Sequence, residues 1–176
     1  AYEIPKRDWS SDVCSSDLAS LEPRSRRDTT YLLQEYFVPA ANFLPFVKAM
    51  AGILTGHRVN ALNVSIRHSP ADTVSLLKWA ASEVFSFVIY YKQGSQPGAD
   101  AAAGMWTREL IDVALTNGGR YYLPYRLHAT REQFARAYPE AVAFRKLKQR
   151  VDPEHRLRNL MWDKYLVDRK STRLNS

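Results

Sequence analysis

The chain has 176 residues, of which 45% are hydrophobic, and it carries a formal net charge of +7. This length suits one ordinary domain with its own hydrophobic core, and no apolar run approaches the ~18 residues of a membrane-spanning helix. A soluble, cytoplasmic protein is therefore expected. The excess of basic residues is compatible with an anionic partner, such as a nucleic acid or a flavin pyrophosphate, but it does not distinguish between these partners.

The two ends of the chain differ from the rest. Ala1–Leu18 and Arg169–Ser176 resemble translated sequencing-adapter sequence, and neither shows the apolar period of a helix or a strand. We expect the natural domain to be Ala19–Asp168. The single cysteine, Cys14, lies in the first flanking segment. Disulfides, thiolate catalysis and zinc–thiolate sites are therefore excluded for that domain.

The first half of the domain predicts two strands and a helix. Thr30–Val38 is rich in aromatic and aliphatic residues and reads as a strand that stops at Pro39. Ala40–His57 places apolar residues at three- and four-residue spacing, which indicates an amphipathic helix. Val59–Arg67 alternates as a second strand does, and Ser75–Ser82 fits either a short strand or a helical turn.

The second half predicts two more strands and three helices. The expected strands are Glu83–Tyr91 and Arg120–Leu127, and the expected helices are Ala99–Asn117, Ala129–Ala137 and Ala141–Val151. Gly118–Gly119 ends the first of these helices. The order β-α-β-β-α-β followed by helices predicts an α+β, ferredoxin-like antiparallel sheet with its helices on one face.

This fold serves many functions, and one candidate is an RNA-binding module. Such domains stack bases on aromatic residues of the third strand, and Phe85–Tyr90 resembles the aromatic half of that motif. However, Glu83 and Val84 stand where a basic residue and a glycine are expected. Core packing is the more common role of such aromatics, so nucleic acid is not the expected partner.

A second candidate rests on family resemblance. Five segments occur in the order found in flavin-linked oxidases of the vanillyl-alcohol-oxidase superfamily: Leu33–Pro39, Val59–His68, Phe87–Lys92, Gly118–Leu123 and Val151–Asn159. The chain resembles the carboxy-terminal substrate domain of the D-arabinono-1,4-lactone oxidase group. It is similar, more distantly, to alditol oxidase and decaprenylphosphoryl-ribose oxidase.

The resemblance implies an FAD-dependent oxidoreductase that acts on an alcohol or an aldonolactone. In that family a separate amino-terminal domain of the same chain holds most of the FAD, and the substrate domain covers the isoalloxazine ring with one face of its sheet. The fragment alone is then expected to be inactive. The sequence shows no phosphate-binding glycine loop and no cluster of metal ligands, so no metal is expected.

Strand alternation predicts which residues share a sheet face. The residues expected to share one face of the sheet come from all four strands. They are Tyr31, Leu33, Glu35 and Phe37 on the first strand; Asn63, Ser65 and Arg67 on the second; Ser86, Val88 and Tyr90 on the third; and Tyr121, Leu123 and Tyr125 on the fourth. Glu35 is either an exposed edge carboxylate or, by the resemblance, a polar substrate contact.

The remaining catalytic candidates also come largely from the resemblance. Arg67 is either a surface cation or, by the resemblance, a contact to substrate or flavin, because relatives place an arginine with that role at the end of the second strand. Ser65 replaces a glutamate of alditol oxidase, and Tyr125 replaces an active-site lysine of some relatives. His128 is either a structural histidine or a base near neutral pH. Tyr122, Arg158 and Asn159 are the expected cofactor contacts, although Arg158 and Asn159 also fit a solvated turn or a contact to the amino-terminal domain.

Overall fold

The computed structural model describes residues 27–167, so both adapter-like ends lie outside the described part of the chain. The strands are β1 (Thr29–Pro39), β2 (Asn60–Ser69), β3 (Val84–Gly94) and β4 (Arg120–Tyr121). The helices are α1 (Phe43–Gly56), α2 (Ala99–Thr116), α3 (Arg131–Ala137) and α4 (Ala141–Val151). A 3₁₀ turn, Ala40–Asn42, precedes α1, and a short π-helical segment, Trp162–Leu166, follows α4.

The four strands form one antiparallel sheet in the order β2-β3-β1-β4. The first and third strands are central, which is the arrangement that a βαββαβ chain with its helices on one face adopts. The predicted α+β, ferredoxin-like fold is confirmed.

The register divides the sheet into two chemically different faces. Tyr36 lies opposite Phe87, and Val38 lies opposite Phe85, so these aromatic and aliphatic groups point to the helix side. Phe46 of α1 packs on both Tyr36 and Phe87, with ring centroids 6.0 and 4.8 Å apart. The main core therefore forms between the sheet and helices α1 and α2.

The other face is not covered by a helix of the described chain. We call it the open face, and its residues on the central strands include Tyr31, Leu33, Glu35 and Phe37 on β1 and Ser86, Val88 and Tyr90 on β3. One end is covered by the β2–β3 connection, where Trp79 packs on Phe37 with ring centroids 4.8 Å apart. Phe37, Ala80 and Val84 form a second, smaller hydrophobic cluster there.

The chain after β4 folds back onto the helix layer. Thr130 caps α3 because its side-chain oxygen accepts a hydrogen bond from the Gln133 N–H. In turn, the Gln133 side-chain oxygen accepts a hydrogen bond from the Thr130 N–H. Tyr165 of the π-helical segment stacks on Phe134 of α3 at 4.5 Å. These contacts join the carboxy-terminal segment to the core.

Most predicted elements are present with shifted ends, and α4 has the predicted ends. The main correction concerns the fourth strand, which was expected over Arg120–Leu127 but pairs only at Arg120 and Tyr121. Leu123 and Pro124 form a turn directly afterwards, because proline cannot donate to a strand ladder. Residues 75–82 contain neither a strand nor a helical turn. Within residues 27–167, no helix is long and apolar enough to cross a membrane.

Candidate functional site

A carboxylate lies near the middle of the open face. Glu35 of β1 is half-buried, and burial raises the pKa of its carboxyl group. A hydrogen bond from Ser86 on β3 and the positive charge of Arg67 on β2 oppose this rise only in part. Three neighbouring strands thus place an acid, a hydroxyl and a guanidinium together.

The register explains why these residues meet. Arg67 is the cross-strand partner of Ser86, and Ser86 is the partner of Phe37, two residues from Glu35 on the same face. Side chains on one face of adjacent strands interact directly or diagonally. The predicted sharing of a face by Glu35, Arg67 and Ser86 is confirmed.

Two tyrosines complete the cluster beyond β4. The Tyr122 N–H donates to the Glu35 carbonyl at 2.9 Å, and the Tyr122 ring meets Phe37 edge-on. Tyr125 packs edge-on against Tyr122 with centroids 5.1 Å apart. Burial and the nearby charge of Glu35 raise the pKa of the Tyr125 phenol, whereas Arg67 lowers it. At neutral pH Tyr125 is therefore a protonated hydrogen-bond donor.

We name Glu35, Arg67, Ser86, Tyr122 and Tyr125 the open-face cluster. Its members arrive from all four strand regions, and Ser86 and Val88 form a buried floor beneath the larger side chains. A half-buried carboxylate with a raised pKa is suited to accept a proton, and the arginine is suited to hold negative charge.

The predicted face of the fourth strand was partly wrong. Tyr121 was grouped with Tyr125, but Tyr121 is the cross-strand partner of Tyr36 and therefore faces the helices. Its ring packs against Tyr138 in the core. Tyr122 takes the open-face position instead, and the turn after it returns Tyr125 to the same side.

His128 does not join the cluster. It is buried against α2, where Nδ1 lies 2.8 Å from the Thr107 hydroxyl oxygen and Nε2 lies 3.2 Å from the Asp100 carboxylate. Burial lowers the pKa of His128, and this effect outweighs the opposing contribution of Asp100. Both ring nitrogens have partners within the chain, which favours the structural role among the two that the sequence left open.

Arg158 and Asn159 have hydrogen-bond partners of their own, and Asn159 shares a cavity lining with Leu123 and Pro124, next to the tyrosines of the cluster. Arg158 pairs with Asp163 through Nε and Nη2, at 3.0 and 2.9 Å. The Asn159 side chain accepts a hydrogen bond from the Trp162 N–H at 2.8 Å. In this structure both residues organise the turn that leads into the π-helical segment.

Two features of the open face were not singled out from the sequence. Trp79 closes one end, but it lies in an irregular segment without a period that would have assigned it a face. At the other end Tyr31 and Tyr90 stack at 5.6 Å, with the Lys92 ammonium 5.9 Å from the Tyr31 ring centroid. Strand alternation places Tyr31 and Tyr90 on this face, but their pairing needs the β1–β3 register.

The fold and the cluster together define an α+β domain with a polar group set into an otherwise aromatic, uncovered sheet face. In comparisons with known proteins, no family model matches the chain, and no curated protein matches it. Within the described part of the chain, no group of three or more His, Cys, Asp or Glu residues is placed to hold a metal ion.

Proposed function

We propose that this chain is the substrate-side domain of an FAD-dependent oxidoreductase that oxidises an alcohol or a sugar-derived lactone. The observation that carries the proposal is the open-face cluster, where Glu35, Arg67 and Tyr125 interact electrostatically on a sheet face without a covering helix. The segments that resemble D-arabinono-1,4-lactone oxidases contribute most of these residues.

The residues present fit a flavin ring better than they fit a phosphate chain. The face offers a flat, largely aromatic and aliphatic surface with Val88 and Ser86 buried in its floor. Arg67 and the Tyr122 and Tyr125 hydroxyls supply donors for the oxygen and nitrogen acceptors of a ring edge. Bound FAD would supply hydride acceptance. Its phosphates would be held by a separate domain of the same chain.

Each member of the cluster then has a separate task. Glu35 accepts the proton of the substrate hydroxyl, because its raised pKa brings it closer to that of an effective general base at neutral pH. Arg67 holds developing negative charge beside the reaction centre. Tyr125 donates a hydrogen bond to a substrate oxygen and, being neutral, does not replace the charge of a lysine.

An RNA-binding module is the second candidate, and one observation favours it. Tyr31 and Tyr90 present stacked rings on the two central strands, and Lys92 lies beside them. Bases bind to aromatic residues at such positions in related folds. The acid near the middle of the same face opposes this function, because Glu35 would repel a phosphate backbone when ionised.

The test joins Ala19–Asp168 to the sequence encoded directly upstream of Ala19 in the natural gene. We expect a yellow protein whose visible flavin absorbance is bleached by a polyol or an aldonolactone. A colourless protein that retains single-stranded RNA at moderate salt contradicts the proposal. The same preparation tests the role of Glu35 as general base, because Glu35→Gln is expected to slow bleaching about a hundredfold or more. Lys48→Gln, an exposed change on α1, is the control and should bleach normally.

A further inference from the structure

A second polar site lies on the helix side of the sheet, away from the open-face cluster. It is a cleft of about 570 Å³ where α2, α3 and the π-helical segment meet. The cations Arg108, Arg131 and Lys164 line it together with His128, and Asp163 is the one carboxylate in its lining. We call it the basic cleft.

The side chains of the three cations donate hydrogen bonds to backbone carbonyls. Arg108 donates to the His128 carbonyl at 3.5 Å, and Arg131 donates to the Val167 carbonyl at 3.2 Å. The Lys164 ammonium donates to a third carbonyl, that of Leu127. Between residues 27 and 167, no salt bridge involves any of these three cations.

The carboxylate in the lining does not neutralise them. Asp163 is bound by the Arg158 guanidinium, with both contacts at or below 3.0 Å. The basic cleft therefore keeps an excess of positive charge. Burial and the charge of Arg108 lower the pKa of Lys164, and the negative charge of Asp100 opposes them only in part.

A glycine sets the position of Arg108. Gly104 is buried one helical turn before it on α2, and a Cβ built there would lie 2.8 Å from the Arg108 Nη1 atom. The guanidinium thus lies over the bare backbone of the helix, in space that any other residue would occupy. This clearance lets Arg108 stay against the wall of the cleft.

We propose that the basic cleft binds the phosphate group of a small molecule. A phosphate ester carries between one and two negative charges at neutral pH and offers several acceptor oxygens. Arginines bind such groups through paired N–H donors, and a lysine adds a compact charge. The volume exceeds that of phosphate alone and falls in the range of sites that hold whole small ligands.

The test is isothermal titration calorimetry of the intact chain with inorganic phosphate, adenosine monophosphate and adenosine. Both phosphate-bearing ligands should bind, and adenosine should bind far more weakly. Lys164→Gln should weaken phosphate binding about tenfold, because it removes a charged donor worth at least that factor. Lys48→Gln removes the same charge from an exposed position on α1 and should leave binding unchanged.

A second variant changes the geometry without changing the charge. Gly104→Ala should displace the Arg108 guanidinium and weaken phosphate binding several-fold, while alanine keeps or raises helix stability. Thermal unfolding checks that this variant is folded. The proposal is overturned if neither phosphate nor adenosine monophosphate binds, if adenosine binds as tightly as its monophosphate, or if Lys48→Gln weakens binding as much as Lys164→Gln. The outcome does not depend on whether the open face receives a flavin.

Discussion

Ser86 on β3 lies diagonally across from Glu35 on β1, on the same face of the sheet, with Ser86 buried and Glu35 half-buried. Hydrogen bonding from the Ser86 hydroxyl favours the charged form of Glu35, but it lowers the pKa of the carboxyl group less than burial raises it. This imbalance makes the stability of the domain depend on the protonation of Glu35.

The first prediction concerns the pH dependence that Glu35 imposes. Its folded pKa is raised above the ordinary value of about 4.3, so the folded state binds the proton more tightly than the unfolded state. The contribution of Glu35 to stability is present below that ordinary value and is lost as the pH rises through the folded pKa. In urea unfolding, the Glu35→Gln variant should not show this loss of unfolding free energy as the pH rises. Glu154→Gln, at an exposed position, should keep it.

The second prediction concerns His128, which acts in the opposite direction. Burial lowers its folded pKa below the ordinary value of about 6.5, so the unfolded state binds the proton more tightly. Its stabilising contribution is present above that value and is lost as the pH falls through the folded pKa. His128→Gln should remove this acid-side loss in thermal unfolding scans. If the variant and the natural chain show the same profile below neutral pH, the prediction fails.

The third prediction concerns the ion pair that fixes the end of β4. Arg120 and Glu140 form two contacts, at 2.9 and 3.1 Å, and Arg120 also lies 5.3 Å from the centroid of the Tyr138 ring. Glu140→Ala leaves a buried guanidinium without its carboxylate, which should lower the free energy of unfolding by about 3 kcal/mol.

The matched control for this pair is Glu154→Ala, which breaks the exposed pair with Arg156. It should have little effect, because surface pairs contribute little. If the two variants lose the same unfolding free energy, Arg120 has sufficient partners without Glu140 and the prediction fails.

The fourth prediction compares two glycines. A Cβ on Gly119 would lie 2.2 Å from the Phe37 carbonyl oxygen and 3.0 Å from that of Ala114. Both neighbours are backbone atoms, so Gly119→Ala should cost about 3 kcal/mol of unfolding free energy. Gly52 on α1 has nothing within 4 Å, and Gly52→Ala should add about 0.5–1 kcal/mol. A stable Gly119→Ala variant would refute this view of the β1–β4 contact.

The sequence by itself determined the order of elements and much of the open face. Alternation alone grouped Glu35 with Phe37 and Arg67 with Ser65, and the observed register agrees. This succeeds because β1, β2 and β3 are long, and each long strand repeats its pattern several times. The Thr130 cap of α3 was also visible, since capping chemistry is local.

Tertiary structure alone decided the rest. β4 pairs with β1 only at Arg120 and Tyr121. Whether Tyr121 or Tyr122 lies on the open face is set by the point at which the chain, after Gly119, meets β1. His128 faces α2 because the chain turns after β4, which no local pattern records. Three cations from separate segments meet in the basic cleft for the same reason. Local residue patterns encode periods and caps, whereas the meeting of distant segments follows from packing the whole chain around one core.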